Sequence, residues 1–489
     1  MCLVACPLAP ARAGPANLDE TGRWQEIERV WARDKPGYAA FAADMAKQRS
    51  DMGLYRLQMW TNDLALAAIA ARRDAIVRDL LELYRAELDW LTRPEATLLP
   101  APAAGGAAAT GSAPIDFKDT KWRLANGKEN VLSSAQFIYL LASVVRSLAE
   151  RTDAPARRFD AFVAQAAPIV SGHLRRWILG PQASFNAQWL GCAPDGFHNH
   201  ARYLAKKQQR AFSATPPLST CNAVTDADLW ILAGAAELLR TDPQLPPFLR
   251  LDAADVLNLK SYVKSGTNLL RGRTTGRTLA TRSGTVSYLV FDPGGYKDYP
   301  DYAYAGYEGG AFPENKTPRA AAGWDFAHAI RFPLVFTSLM DARAATGLDW
   351  PTSEVLGGLA RALAYVVFDN EAPYPRFRNY MDGGNGWYRV KPQTNEGFDP
   401  WSSSAAILFG GWGRLARHEP ALGPVLVATW QLMISREPSA VAWRARYYDQ
   451  WGVRGQTRRV QDYSLATSPD ILPFLATFPV APPGQRPVQ

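Results

Sequence analysis

The chain has 489 residues, 47% of them hydrophobic and 20% charged, which is the composition of a globular protein able to bury a full core. Its net charge of +8 comes from 54 Lys and Arg set against 46 Asp and Glu. The basic residues are scattered and accompany no nucleic-acid motif, so no nucleic-acid partner is expected. No run of 18 or more uninterrupted apolar residues occurs, and segments such as Leu64 to Ala71 are too short to cross a bilayer, so no membrane-spanning segment is expected.

Residues 1–14 resemble the end of an export signal: Leu3, Val4 and Ala5 are apolar, and Ala11 and Ala13 offer the small residues a signal peptidase reads. Leu3-Val4-Ala5-Cys6 also resembles a lipoprotein attachment site. Beyond this segment stand only Cys192 and Cys221, which in an exported chain are expected to form a disulfide. A periplasmic or secreted protein follows from these signs.

From about residue 19 to 93 the chain is expected to form a helical N-terminal region. Trp24, Ile27, Val30 and Trp31 recur at helical spacing, as do Ile76, Leu80, Leu83 and Tyr84. Residues 95–115 are rich in Ala, Gly and Pro without periodicity and are expected to be a linker or long loop. Helices are expected near 132–150, 157–179, 199–212, 226–240, 252–270, 325–345, 352–368, 402–417 and 421–434. Thr225-Asp226 and Pro351-Thr352-Ser353-Glu354 supply helix starts. Thr285 to Phe291 is the best strand. Arg271, Arg273, Arg277 and Arg282 come nearest to a basic cluster. The expected fold is all-α: helix pairs in an (α/α) toroid over residues 116–480, with an irregular helical bundle as the alternative.

Two connections between helices carry unusual composition. Residues 292–313 hold five tyrosines, and residues 380–401 add Trp387, Tyr388 and Trp401. Sugars present flat C–H faces on which aromatic rings stack and hydroxyl edges that Asp, Asn, Gln and Arg bond. The loops place these types side by side in Trp324-Asp325, in Asn385-Gly386-Trp387-Tyr388-Arg389 and in Glu396 to Trp401. Sixteen tryptophans alone are weak evidence, because buried Trp more often fills a core. Aromatics beside carboxylates and glycines in loops point to a carbohydrate polymer as substrate.

Two segments stand out further: Asp226-Ala227-Asp228-Leu229-Trp230-Ile231-Leu232-Ala233, and Trp324-Asp325-Phe326-Ala327-His328-Ala329-Ile330-Arg331-Phe332-Pro333-Leu334. With the fainter Leu132-Ser133-Ser134-Ala135-Gln136, they resemble, in order, helix starts of the family 8 glycoside hydrolases, the bacterial cellulases and chitosanases. The resemblance spans about residues 130–345. It implies an (α/α)6 toroid and cleavage of glycosidic bonds, with Asp226 and Asp228 carried over directly. Ser134 stands where that family has its catalytic acid and His328 where it has its base.

Hydrolysis of a glycosidic bond usually takes two carboxyl groups, about 6.5–9.5 Å apart for inversion or about 5–5.5 Å for retention. Asp325 lies three residues before His328 and faces the same side of a helix, so it is the candidate replacement base. Glu308 and Glu129 are candidate acids. The candidate catalytic set is therefore Asp325, Glu308, Asp226, Asp228 and His328, with Trp324, Arg331, Trp230, Trp387, Tyr388, His200 and Trp401 as substrate contacts. Elimination on a uronate polymer is the alternative chemistry, using His and Tyr. His198-Asn199-His200 with Arg202 and Tyr203 suits it, as do His328 and Arg331. A third reading is a glycan-binding protein derived from such an enzyme. His198 and His200 lack a third ligand, so neither a metal nor another cofactor is expected. The oligomeric state is not legible.

Overall fold

The computed structural model describes residues 18–91, 121–125, 127–180, 192, 199–213, 215, 218–282, 284–448, 453–454 and 471–480. The export segment, the linker at 95–115 and His198 lie outside the described residues.

The protein is mostly helical, with a few short strands. Its centre is a pair of apolar helices, α4 (Val131–Ala149) and α7 (Asp226–Thr241), packed on each other. Both are buried on nearly every face, as helices apolar all round must be. Local chemistry starts each one. The Asn130 side chain accepts from Leu132 and Ser133 N–H, and Thr225 and Asp228 close a reciprocal capping box. Helix α4 has the length and apolarity of a membrane span, but 83% of that window is buried inside the protein.

Around this pair lie α1 (Glu20–Gln48), α2 (Asp51–Ala70) and α3 (Asp74–Asp89) on one side, with α5 (Asp160–Leu179) beside α4. Helix α2 packs directly on α4, and α15 (Ile471–Thr477) from near the C-terminus packs on α2. The N-terminal helices thus share one continuous core with the rest of the chain. Helices α6 (His200–Gln208) and α8 (Ala253–Gly272) flank the other side. A hairpin of β1 (Thr274–Thr281) and β2 (Gly284–Phe291) follows α8, and β2 covers α12 (Ser353–Arg361). Three of the four arginines of this stretch stand beside carboxylates rather than forming a bare basic patch. Arg271 pairs with Asp349, Arg273 with Asp292, and Arg277 stands 3.8 Å from Asp382.

The expected helix at 325–345 is broken into α9 (Phe326–Ala329), α10 (Phe332–Asp341) and α11 (Arg343–Thr346). Pro333 at the start of α10 cannot continue the preceding turn. The expected helix at 402–417 is two 3-10 segments, Ser404–Leu408 and Trp412–Arg417, separated by Gly410 and Gly411 at φ +72° and +70°. A Cβ on Gly410 would stand 2.0 Å from the Ile330 carbonyl oxygen, so the close approach to α9 needs glycine there. The helix expected at 352–368 is α12 followed by a π-helical turn over Ala362–Val367. The remaining elements are β3 (Tyr388–Lys391), β4 (Glu396–Phe398), α13 (Leu422–Ile434), α14 (Pro438–Tyr447) and β5 (Val453–Arg454), with β4 central in a three-stranded antiparallel sheet.

Cys192 and Cys221 form a disulfide, with Cα atoms 5.5 Å apart. Closing a loop of this length is worth about 3.6 kcal/mol in the chain-entropy account.

One buried carboxyl marks the packing of the N-terminal helices. Glu87 on α3 is fully buried; its Oε2 accepts from Trp90 Nε1, while Oε1 has no partner among the described residues. Burial pushes its pKa up to about 7, against a smaller downward pull from Trp90. The folded state therefore holds a proton that the unfolded chain releases above about pH 4.5, and stability falls as pH rises from there to about 7. Glu87→Gln should leave stability nearly unchanged at pH 4.5 and raise it by about 2–3 kcal/mol at pH 8. Urea denaturation at both pH values checks this, and a less stable variant at pH 8 would refute it.

Candidate active site

The site is built where α9 begins. Asp325 is the N-cap of this short helix, its carboxylate accepting from His328 N–H at 3.0 Å. The same carboxylate lies 2.8 and 2.9 Å from His328 Nδ1. A carboxylate held ionised only accepts, so Nδ1 carries a proton, and in the neutral imidazole Nε2 is the bare nitrogen. Tyr302 completes the anchor: its hydroxyl donates to Asp325 Oδ2 at 2.8 Å and accepts from Asp325 N–H at 3.1 Å. Asp325 is 1% exposed. Burial alone would raise its pKa, but His328 and Tyr302 outweigh that and hold it below the usual carboxylate range.

His328, by contrast, is partly exposed, and Nε2 has no protein partner among the described residues. Tyr388, at the start of β3, sets its ring edge-on to His328 and to Tyr302. Its hydroxyl makes only long contacts, 3.5 Å to His328 Nδ1 and 3.4 Å to Asp301 Oδ2. Burial and the nearby Asp325 charge push this phenol well above its ordinary range. Arg389, exposed and with its guanidinium over the Tyr388 ring, donates to Asp301 at 2.8 Å. Its φ of +52° is a strained value for an arginine.

Arg331 joins two of the sequence motifs. Its buried guanidinium lies 3.0 Å from Asp226 Oδ2, donates to Tyr55 Oη at 3.0 Å, and caps the Ala327 and His328 carbonyls. Arg331 thus ties Asp226, at the start of α7, to the short helix α9 that Asp325 caps. Beside it lies a small, mainly apolar cavity whose lining includes Gln58, Asn62, Gln136, Trp230 and Arg331 together with Met59, Ile330 and Leu334. Asn62, Gln136 Oε1, Trp230 Nε1 and Arg331 Nε have no hydrogen-bond partner among the described residues.

Several expected site residues are not brought to this place. Asp228 is enclosed: it accepts from His200 Nε2 at 2.8 Å, from Thr225 N–H at 2.7 Å and from Lys207 Nζ. His200 is fully buried between Asp228 and Tyr262, so it meets a carboxylate rather than a sugar. Trp324 is packed among Phe291, Tyr296 and Phe332, and Trp387 is buried with its indole N–H on the Gly309 carbonyl. Trp230 is likewise interior, tilted on Tyr139. Each indole fills core volume, the commoner use of tryptophan. Trp401 alone of these keeps partial exposure. Glu308 is exposed and accepts from Asn385 N–H, which ties the two aromatic loops together. Glu129 is bound bidentately by Arg176.

Tyr55, Tyr302, Asp301 and Arg389 were not singled out as site residues from sequence. Tyr55, Gln58 and Asn62 recur at helical spacing along α2, which is the signal that marks them.

Comparison with protein-family models, with characterised proteins and with solved structures gives no match. Among the described residues, no group of three or more His, Cys, Asp or Glu is arranged to hold a metal ion.

Proposed function

We propose that this chain is an exported enzyme that cleaves a uronate-containing polysaccharide by β-elimination. The observation that carries the reading is the Asp325–His328 pair: a buried carboxylate fixes the imidazole through Nδ1 and leaves Nε2 free in a partly exposed position. His328 Nε2 takes the proton from C5 of a uronate, the C–H electrons form the C4–C5 double bond, and the C4–O bond breaks. Tyr388 supplies the proton to the departing oxygen, and Arg389 faces the substrate carboxylate, whose neutralisation makes the C5 proton acidic. The (α/α) toroid suggested by the family 8 resemblance is the arrangement we propose around this cleft. The disulfide is compatible with an oxidising compartment.

Hydrolysis is the second reading. It is supported by Asp226, which keeps some exposure beside Arg331, and by the resemblance of residues 226–233 to the family 8 motif. It needs a carboxyl group that stays protonated at working pH, whereas Asp325 and Asp228 are both held more ionised than usual. A panel of acidic and neutral polysaccharides separates the readings. Elimination is expected to release unsaturated ends that absorb ultraviolet light, together with new reducing ends. Reducing ends without that absorbance mean hydrolysis, and retention of polymer with neither product means a binding protein.

A further inference from the structure

Beside the site, Trp401 is held in a conformation its residue type avoids. Its φ is +71°, fixed by its N–H on Asn385 Oδ1 at 3.0 Å and by Ser404, whose hydroxyl donates to the Trp401 carbonyl at 2.7 Å. Such strain persists only where the surroundings over-determine it, and it gathers at ligand sites. Two guanidinium groups lie over the ring, Arg376 at 4.0 Å and Arg378 at 5.2 Å from its centroid. They differ in what else they do. Arg376 is committed, donating to Asp369 at 2.6 Å and reaching Tyr447. The nearby Asp399 is likewise taken, by Arg446. The Arg378 guanidinium has neither an ion pair nor a hydrogen bond among the described residues, and it lies over the Trp401 indole face.

Stacking on an aromatic face leaves the N–H fork of a guanidinium free in its own plane, the geometry that a carboxylate meets bidentately. The position is also tied to the reacting groups. Tyr380, two residues along from Arg378, bridges Asp325 in antiparallel fashion, and Phe326 N–H donates to the Asn379 carbonyl at 2.7 Å. Arg378 therefore sits about 7 Å of extended chain from the residue paired with Asp325, within the length of a sugar unit or two.

We infer that Arg378, stiffened by Trp401, binds the carboxylate of a uronate unit flanking the one that reacts. This deepens the elimination reading and rests on its substrate class. It is tested by binding rather than turnover. The probes are alginate, polygalacturonate and hyaluronan, each beside its carboxyl-reduced form, in affinity electrophoresis of the full chain carrying His328→Ala to prevent cleavage. At least one acidic polymer should retard the protein and its reduced form should not. Adding Arg378→Gln should weaken that retardation about tenfold or more, the loss expected for charge-assisted hydrogen bonds. Arg378→Lys, which keeps charge but not the planar fork, should fall between, and circular dichroism should show all variants folded. Trp401→Phe should keep most of the affinity. Undiminished binding by Arg378→Gln overturns the inference, as does failure of every acidic polymer to retard the parent. If Arg378→Gln loses binding but the unmutated enzyme releases no ultraviolet-absorbing product, the subsite stands and the elimination reading falls.

Discussion

His328→Ala should lower turnover of the cleaved polymer by about a hundredfold to ten-thousandfold, the range a positioned acid or base contributes. The change costs the buried Asp325 its imidazole partner but leaves its other hydrogen bonds in place. The imidazole is partly exposed, and the hydrogen bonds that Asp325 accepts from the backbone N–H of residue 328 and from Tyr302 persist without it. Stability should fall by no more than about 1–3 kcal/mol, the cost of one lost partner of a buried charge, while the rate collapses, and added imidazole should restore part of the rate by supplying a base at the vacated position. Asp325→Asn makes a different prediction because Asp325 is buried behind His328 rather than exposed. An amide there no longer selects the Nδ1–H tautomer or balances the imidazolium that forms during proton transfer. The expected result is a fall in kcat with KM nearly unchanged and no rescue by imidazole. A His328→Ala protein that retains most of its activity would remove this site from the chemistry altogether.

The reversal of roles within this pair illustrates what spacing conveys and what it leaves out. Positions 325, 328 and 331 share a helix face in any reading of the sequence, and the structure does gather them. Spacing does not say which carboxylate is enclosed. Asp325 is buried because the Tyr302 and Tyr380 rings and the segment over residues 379–381 close over it, contacts made by residues 23 to 56 positions away. The same holds for Tyr55, which reaches Arg331 from a helix 276 residues earlier in the chain. The central helices were legible because their signals are local: Asn130 and the Thr225–Asp228 pair cap long apolar runs. The short elements were not. Helix α15 has seven residues with Pro473 inside, and β1 is an exposed arginine-bearing strand whose partner is the only part that looks like a strand. At Ser404–Arg417 the apolar spacing is helical, but two glycines in left-handed conformation decide the backbone, and only the contact with Ile330 explains why.

Asp228→Asn should cost about 3–5 kcal/mol of folding stability, the penalty for leaving a buried charge without its partner. Asp228 holds together four things at once: the imidazole of His200, the ammonium of Lys207, the Thr225 N–H of the α7 cap, and through these the packing of α6 on the centre of the fold. Lys207 is fully buried, and burial pulls its pKa down while Asp228 pulls it back up. Removing the carboxylate charge strands that ammonium. Next to it, Arg273 donates to the Lys207 carbonyl and pairs with Asp292, so the neighbourhood holds no spare anion to take over. If this account is right, Lys207→Met alone should also destabilise, and the double variant should lose clearly less than the sum, because both charges then leave together. The pH dependence has a definite sign. Burial works to raise the Asp228 pKa, but Lys207 and His200 outweigh it and hold the group well below the ordinary carboxylate range. The stability it contributes is therefore present above the unfolded carboxyl pKa and lost as pH falls through the depressed folded value, and Asp228→Asn should flatten that acid limb. Urea denaturation of the three variants between pH 3 and 8 measures all of this. Activity per folded molecule should stay near that of the parent, since Asp228 is buried and its carboxylate is taken up by His200, Lys207 and Thr225. A stable Asp228→Asn protein with its turnover abolished would instead return Asp228 to the catalytic role that its place in the Asp226–Ala233 motif first suggested.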